Sequence, residues 1–226
     1  VQALRAVGGH KHVVELLDVF AQGLGVCLAL ELGETDLAAV LAERGPLAVA
    51  EQHRVLRGVL RGLRHVHACG VMHRDVKPSN VVWVGGVVKL ADFGLARPVA
   101  TGQTYTHQVM TRWYRAPEIL FGSTNYDIKV DIWGAGLVGA EMAIGRPLFS
   151  GENDIEQIFR VIQVLGSPPP DALARLPDGN KISFPEVAKG CLGDMQLSQV
   201  VQKMLAWEAA ARPTALEALV GLYAED

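Results

Sequence analysis

The chain is poor in the features that would commit it to a class at once. Its apolar runs, such as VCLALEL at 26–32, are far shorter than the ~20 residues a bilayer-spanning helix needs, so no membrane role is expected. Cysteine is sparse: Cys27, Cys69 and Cys191 are odd in number, widely separated and form no C-x-x-C pair. A disulfide framework is thereby excluded, and reduced thiols in the cytoplasm or nucleus are expected. No block of Lys or Arg occurs and the formal net charge is −3, which removes the electrostatic reason to expect nucleic acid as a partner. There is no basic-then-apolar leader, so secretion is not expected. Internal repeats and low-complexity segments are also missing. What remains is 226 residues, half of them apolar, enough for one large domain or two lobes sharing a cleft. Residue 1 is Val rather than Met, and an excerpt of a longer chain is expected.

Along the chain, 13–20 (VVELLDVF) and 26–32 read as short buried strands joined by the turn residues of AQGLG. TDLAAVLAERG, from residue 35, reads as a short helix capped by Thr35 or Asp36. After Gly45-Pro46 a longer helix places Leu56, Val59, Leu60, Leu63 and Val66 on one face and closes at Gly70. NVVWVGGVVKLADFG reads as a hairpin turning at Gly85-Gly86. Helical patterns dominate from residue 127, while GSPPPD at 166–171 and the stretch 177–193 read as loops. Few strands followed by much helix imply an α+β protein.

Two clusters carry chemistry. In HRDVKPSN (73–80), Asp75 can orient a hydroxyl and take its proton, Lys77 can neutralise a phosphate, and Asn80 offers a hard oxygen to a divalent metal. In ADFG (91–94), Asp92 is a second metal ligand, and Gly94 is expected to free the backbone to turn. Read singly, Asp75 is as readily a turn residue and Lys77 a solvated surface lysine. Read together, they describe a site for phosphoryl transfer. His73 is expected to be a packed support rather than an acid or base. The HKH at 10–12 has metal-like spacing without a third ligand, so a solvated turn is expected there.

These motifs, with APE at 116–118, DIWGAG at 131–136 and Arg212, occur in the order found in the eukaryotic protein kinases, and the chain resembles that family over nearly its whole length. YTHQVMTRWYRAPE (105–118) is similar to the activation segment of the cyclin-dependent type; SGENDIEQI and LPDGNKISF resemble its cell-cycle-related members. The resemblance implies a bilobal fold whose N-terminal β lobe is truncated (1–32) and whose hinge and helical C-terminal lobe (33–226) are complete. It implies a Ser/Thr kinase using ATP and Mg²⁺ on protein substrates with Ser/Thr-Pro sites, with a cyclin-like activator as partner. It places Leu30, Glu31, Gly33, Asp36 and Val82 around the adenine and ribose, and Met110, Thr111 and Arg115 beside the substrate. It makes Thr106 the target of an upstream kinase, with Arg74 and Arg97 gripping the phosphate. Glu118 with Arg212, and Asp131, become structural supports.

The family's Gly-rich loop, strand Lys and its Glu partner do not occur in residues 1–226. Each such contact is worth on the order of 10²–10³-fold in rate, so this stretch alone is expected to be nearly inactive. The alternative is a non-catalytic kinase-like binding module.

Overall fold

The computed structural model describes residues 1–100, 104–105, 110–179, 181–188 and 190–225. Helix α1 (Gln2–Val7) buries Leu4 and Val7. Strands β1 (Leu16–Gln22) and β2 (Gly25–Leu30) then pair antiparallel, with Phe20 opposite Cys27. Val13 and Val14 are buried as expected, but the hairpin itself is not: Leu17, Phe20, Val26, Leu28 and Leu30 are all exposed. The strands exist, yet among the described residues no second layer covers their faces. Apolar composition alone cannot distinguish a covered strand from an uncovered one.

Strand β3 (Thr35–Asp36) leads directly into helix α2 (Leu37–Arg44). Of the two candidate caps, Asp36 is the one used; its carboxylate accepts from the Ala39 N–H at 2.9 Å, satisfying an amide the helix cannot pair itself. Helix α3 (Val49–Ala68) buries the whole expected stripe, Leu56, Val59, Leu60, Leu63 and Val66, and Gly70 follows it at φ 68°.

Strand β4 (Val71–Met72) leads into the HRDVKPSN stretch. The hairpin of β5 (Val81–Val84) and β6 (Val87–Leu90) turns through Gly85 at φ 56° and Gly86 at φ 73°, a two-residue turn that demands positive φ twice. β3 extends this sheet by pairing Asp36 with Val82. β4 pairs with β7 (Arg97–Pro98).

Two glycines let the sheet approach α3 closely, with Val88, Leu90 and the His12 backbone against them. A Cβ on Gly58 would lie 2.8 Å from Val88 Cβ, and one on Gly62 2.6 Å from the His12 carbonyl. His12 is consequently buried, and its Nδ1–H donates to the Val88 carbonyl at 2.8 Å. The expected solvated turn is corrected here: the turn exists, but the two helical glycines draw His12 into the interface.

The remaining elements are α4 (Pro117–Leu120), α5 (Lys129–Ile144), α6 (Asp154–Leu165), α7 (Pro170–Ala174), α8 (Gln199–Met204) and α9 (Ala215–Ala224). α7 starts inside the expected GSPPPD loop, because a proline at the first helical position loses no hydrogen bond. α5 is buried continuously from Val130 to Met142, the mark of a central helix. α9 begins with a reciprocal capping box between Thr214 and Glu217. No helix among the described residues is long and apolar enough to cross a membrane.

Candidate active site

The loop after β4 is held from beneath by α5. Asp131, fully buried, accepts the backbone N–H of His73 on Oδ2 at 2.9 Å and of Arg74 on Oδ1 at 2.7 Å. His67 of α3 also meets Oδ2, at 2.8 Å. Burial opposes the charged carboxylate, but the His67 hydrogen bond, the attraction of His67 and His73, and the Arg74 amide together hold its pKa below the usual carboxylate range. Arg74 itself stands at φ 67°, a conformation that costs a non-glycine residue about 1–3 kcal/mol unless its surroundings impose it. They do: Arg74 Nε donates to the Leu95 carbonyl at 2.7 Å and Nη1 to the Tyr126 hydroxyl at 2.9 Å.

His73 is buried, accepts the Asp75 N–H on Nδ1 at 3.2 Å and donates from Nε2 to the Ala91 carbonyl at 2.9 Å. Both ring nitrogens are therefore used within the fold. The loop also lies against bare helix backbone, since a Cβ on Gly134 would sit 2.8 Å from the Val76 carbonyl. Gly134→Ala should displace the loop and lower kcat by about 10²-fold, as small misplacements of reacting groups do. Kinetics beside circular dichroism will test this; an unchanged kcat in a folded variant contradicts support by α5.

Asp75 is buried, and three groups converge on its carboxylate. Lys77 Nζ is 2.6 Å from Oδ2, the Asn80 amide donates to Oδ2 at 3.0 Å, and Thr111 donates its N–H and its hydroxyl to Oδ1, each at 3.2 Å. Lys77 Nζ also donates to Thr111 Oγ at 2.8 Å. Burial by itself would raise the Asp75 pKa. The Lys77 hydrogen bond, the Thr111 amide, the charge of Lys77 and the Asn80 amide outweigh it, so the carboxyl lies below its ordinary value. A hydroxyl is thus already held between a carboxylate and an ammonium.

Asn80 donates both of its described side-chain bonds from Nδ2, to the Asp75 carbonyl and carboxylate, so neither uses Oδ1. Its carbonyl accepts the Ala91 N–H at 2.9 Å, bringing the two motifs side by side. Asp92 is exposed and, at φ 57°, is itself the residue in the left-handed region. The expected role of Gly94 is corrected accordingly: its own φ is not positive. The glycine is needed for space, because its N–H donates to Asp92 Oδ1 at 3.1 Å and a Cβ would lie 3.0 Å from that oxygen. One carboxylate and one amide oxygen do not enclose an ion. They fit a hard divalent cation that takes its remaining ligands from water and phosphate.

At the hinge, Leu30 ends β2 and is 38% exposed. Glu31 receives Lys89 Nζ on both carboxylate oxygens, at 2.5 and 2.7 Å, while its N–H donates to the Glu15 carbonyl at 3.1 Å. Gly33 lies against Val82, with 3.3 Å between a built Cβ and that of Val82. Asp36 is Val82's strand partner. The structure therefore brings Gly33, Asp36 and Val82 together, with the Asp36 carboxylate occupied as a helix cap.

In the 105–118 stretch, Met110 is buried at φ 73°, and its carbonyl accepts Arg115 Nε at 3.1 Å. Arg115 also meets Asp154 at 3.0 Å. Arg97 is exposed, with Nη1 donating to the Ala96 carbonyl at 2.8 Å. Thr106 lies outside the described residues. Glu118 and Arg212 form a buried two-pronged pair, both contacts at 2.7 Å.

Residues 1–223 match the family described as "Protein kinase domain". The chain belongs to the protein kinase family. Its curated relatives are of the cyclin-dependent type, as the motifs implied. It is 42% identical over 237 residues to cyclin-dependent kinase 20 of Rattus norvegicus, covering 99% of this chain and 68% of that protein. To cyclin-dependent kinase 20 of Homo sapiens it is 46% identical over 194 residues, covering 82% of this chain and 56% of the relative. Among solved structures, it matches a chain of the yeast RNA Pol II CTD kinase CTDK-1 complex with a TM-score of 0.90 at 27% identity, over 100% of this chain and 79% of that one. The expected bilobal α+β architecture is thus the kinase fold, and kinase membership carries with it the general use of ATP and a divalent metal.

Several residues of the kinase site escape sequence reading. Lys89, which pairs with Glu31 across 58 positions, sits in an ordinary alternating strand. His67 and Tyr126, partners of Asp131 and Arg74, carry no local signal. Tyr114 is a fourth case, donating its hydroxyl to buried Glu141 at 2.7 Å. Burial raises the Glu141 pKa although the tyrosine bond lowers it in part.

Proposed function

We propose that the protein is a Ser/Thr kinase that moves the γ-phosphoryl group of Mg-ATP to a protein hydroxyl followed by proline, in a cell-cycle-related role. The observation that carries this reading is the Thr111 hydroxyl held between Asp75 Oδ1 and Lys77 Nζ. A substrate hydroxyl brought to the same pair would find a proton acceptor on one side and a cation on the other. The new bond joins the substrate oxygen to the γ-phosphorus, the bond to the β-phosphate oxygen breaks, ADP leaves with that electron pair, and Asp75 takes the hydroxyl proton. Asn80 and Asp92 would hold Mg²⁺, which when bound supplies charge neutralisation on the phosphates. Leu30, Glu31, Gly33, Asp36 and Val82 would border the adenine and ribose.

The proline preference rests on Arg115 and Met110. With the Met110 carbonyl taken by Arg115, a proline, which has no N–H to pair, loses nothing beside it. The regulatory reading is that phosphorylation of Thr106 by an upstream kinase draws in Arg97 and the remaining N–H groups of Arg74, and that a cyclin-like partner assists. The full-length protein should phosphorylate a Ser-Pro peptide with at least about tenfold higher kcat/KM than its Ser-Ala counterpart, roughly the discrimination one lost pocket contact gives. Equal values contradict Pro direction. Thr106→Ala should lower kcat in the same assay; unchanged turnover contradicts control at Thr106.

A further inference from the structure

Outside the residues assigned to phosphoryl transfer, a cavity of about 640 Å³ opens between α3, α9 and the turn that carries His10. His10, Arg61, Arg64 and His65 line it together with Leu219 and Tyr223, and no lining residue is acidic. This excess of positive charge stands in a chain whose formal net charge is −3. Arg57, Arg61 and Arg64 follow one another at helical spacing along α3, an arrangement of like charges that opposes helix formation. Arg57 and Arg61 tie α3 to Leu222 and Tyr223 of α9, whereas Arg64 has no such partner among the described residues. The described carboxylates of α9 and its end are engaged elsewhere, Glu217 in the capping box and Glu225 with the Val200 N–H and His53.

The lining side chains are also held in position. An Arg61 Nη2–H donates to the Tyr223 hydroxyl, and the Arg57 guanidinium lies 4.6 Å from the centre of the Tyr223 ring. The rings of His10 and His65 are stacked 4.4 Å apart with an interplanar angle of 6°, and His65 Nε2 donates to the Val7 carbonyl at 3.0 Å. Arg64, by contrast, is exposed and makes no hydrogen bond or ion pair with another described residue. Two guanidiniums, Arg61 and Arg64, beside Leu219 and the Tyr223 ring offer the paired donors that a doubly charged oxyanion on a short side chain requires.

We propose that this cavity docks an acidic peptide segment through a phosphoserine or phosphothreonine. The volume suits one anchor side chain and its neighbours rather than an extended strand. The negative charge of the whole chain disfavours a nucleic acid, which would need a continuous basic track. The site is separate from the phosphoryl-transfer residues, so the inference does not depend on their assignment.

The test is fluorescence-anisotropy titration of the full-length protein with a labelled Glu-rich peptide containing one phosphoserine, against the same peptide with serine. The phosphopeptide should bind more tightly, and binding should weaken as salt rises from about 50 to about 200 mM. Arg64→Glu, at an exposed position that leaves the fold intact, should weaken binding by about tenfold or more, and Arg64→Ala by less. Asp75→Asn should leave it unchanged. Equal affinity for the two peptides overturns the proposal, as does an Arg64→Glu protein that binds like wild type. Loss on Asp75→Asn places the contact at the catalytic loop and also overturns it. Inorganic phosphate as competitor should displace the peptide only at much higher concentration. Displacement at equal concentration, or tighter binding of a single-stranded DNA oligomer, overturns the peptide as ligand.

Discussion

Asp75→Asn should reduce kcat of the full-length kinase by about 10³-fold or more while leaving KM for ATP within a few-fold, because a general base alone contributes ~10²–10⁴. The side chain keeps its shape and can still accept from Thr111 through its oxygen. What disappears is the negative charge that pairs with Lys77 at 2.6 Å and the ability to take a proton. The pH profile should show the same residue. Since its neighbours hold the carboxyl below the usual range, wild-type activity should stay level as pH falls through ordinary carboxylate values. It should drop only when Asp75 itself is protonated and can no longer accept. A variant with wild-type kcat contradicts the proposed role. A large rise in KM for ATP alongside the fall in kcat instead points to a damaged nucleotide site.

Arg212→Ala should destabilise the protein by about 3–5 kcal/mol, the cost of stranding a buried charge. Arg212 is 1% exposed and meets both oxygens of Glu118 at 2.7 Å. It also donates to the carbonyls of Ala206, Trp207 and Lys129 and lies 5.1 Å from the centre of the Trp133 ring. Removing it orphans a carboxylate and uncouples the APE segment from the end of the helical lobe. The Lys181–Asp178 pair, with its side chains 74% and 36% exposed, is the control; Lys181→Ala should cost ~0–1 kcal/mol. Urea midpoints of the two variants give the comparison. An Arg212→Ala shift no larger than that of Lys181→Ala contradicts a structural role for the buried pair.

What could be read from the sequence was local in origin. Asp75, Lys77 and Asn80 fall within one loop, so their spacing already implied a shared site. The α3 stripe and the Asp36 cap follow from helical period and from a helix's unpaired amides. The failures at His12, at the β1–β2 hairpin and at Lys89 share one cause, which is distance along the chain. His12 is buried because Gly58 and Gly62, far along the sequence, present bare backbone to it. The β1–β2 hairpin carries the composition of a covered strand, but whether it is covered depends on other elements. At ADFG the positive φ falls on Asp92 rather than Gly94, next to the residue whose N–H is bonded to the Asn80 carbonyl. Lys89 was invisible for a similar reason, its partner Glu31 lying in a different segment.

The most direct test of the account is to incubate the full-length protein with ATP labelled at the γ-phosphate and a protein substrate, with Mg²⁺ or with excess chelator, and to identify the labelled residue by mass spectrometry. The account predicts label on Ser or Thr, present with Mg²⁺, absent with chelator and absent from Asp75→Asn. Label on Tyr, or equal labelling by wild type and Asp75→Asn, would contradict it.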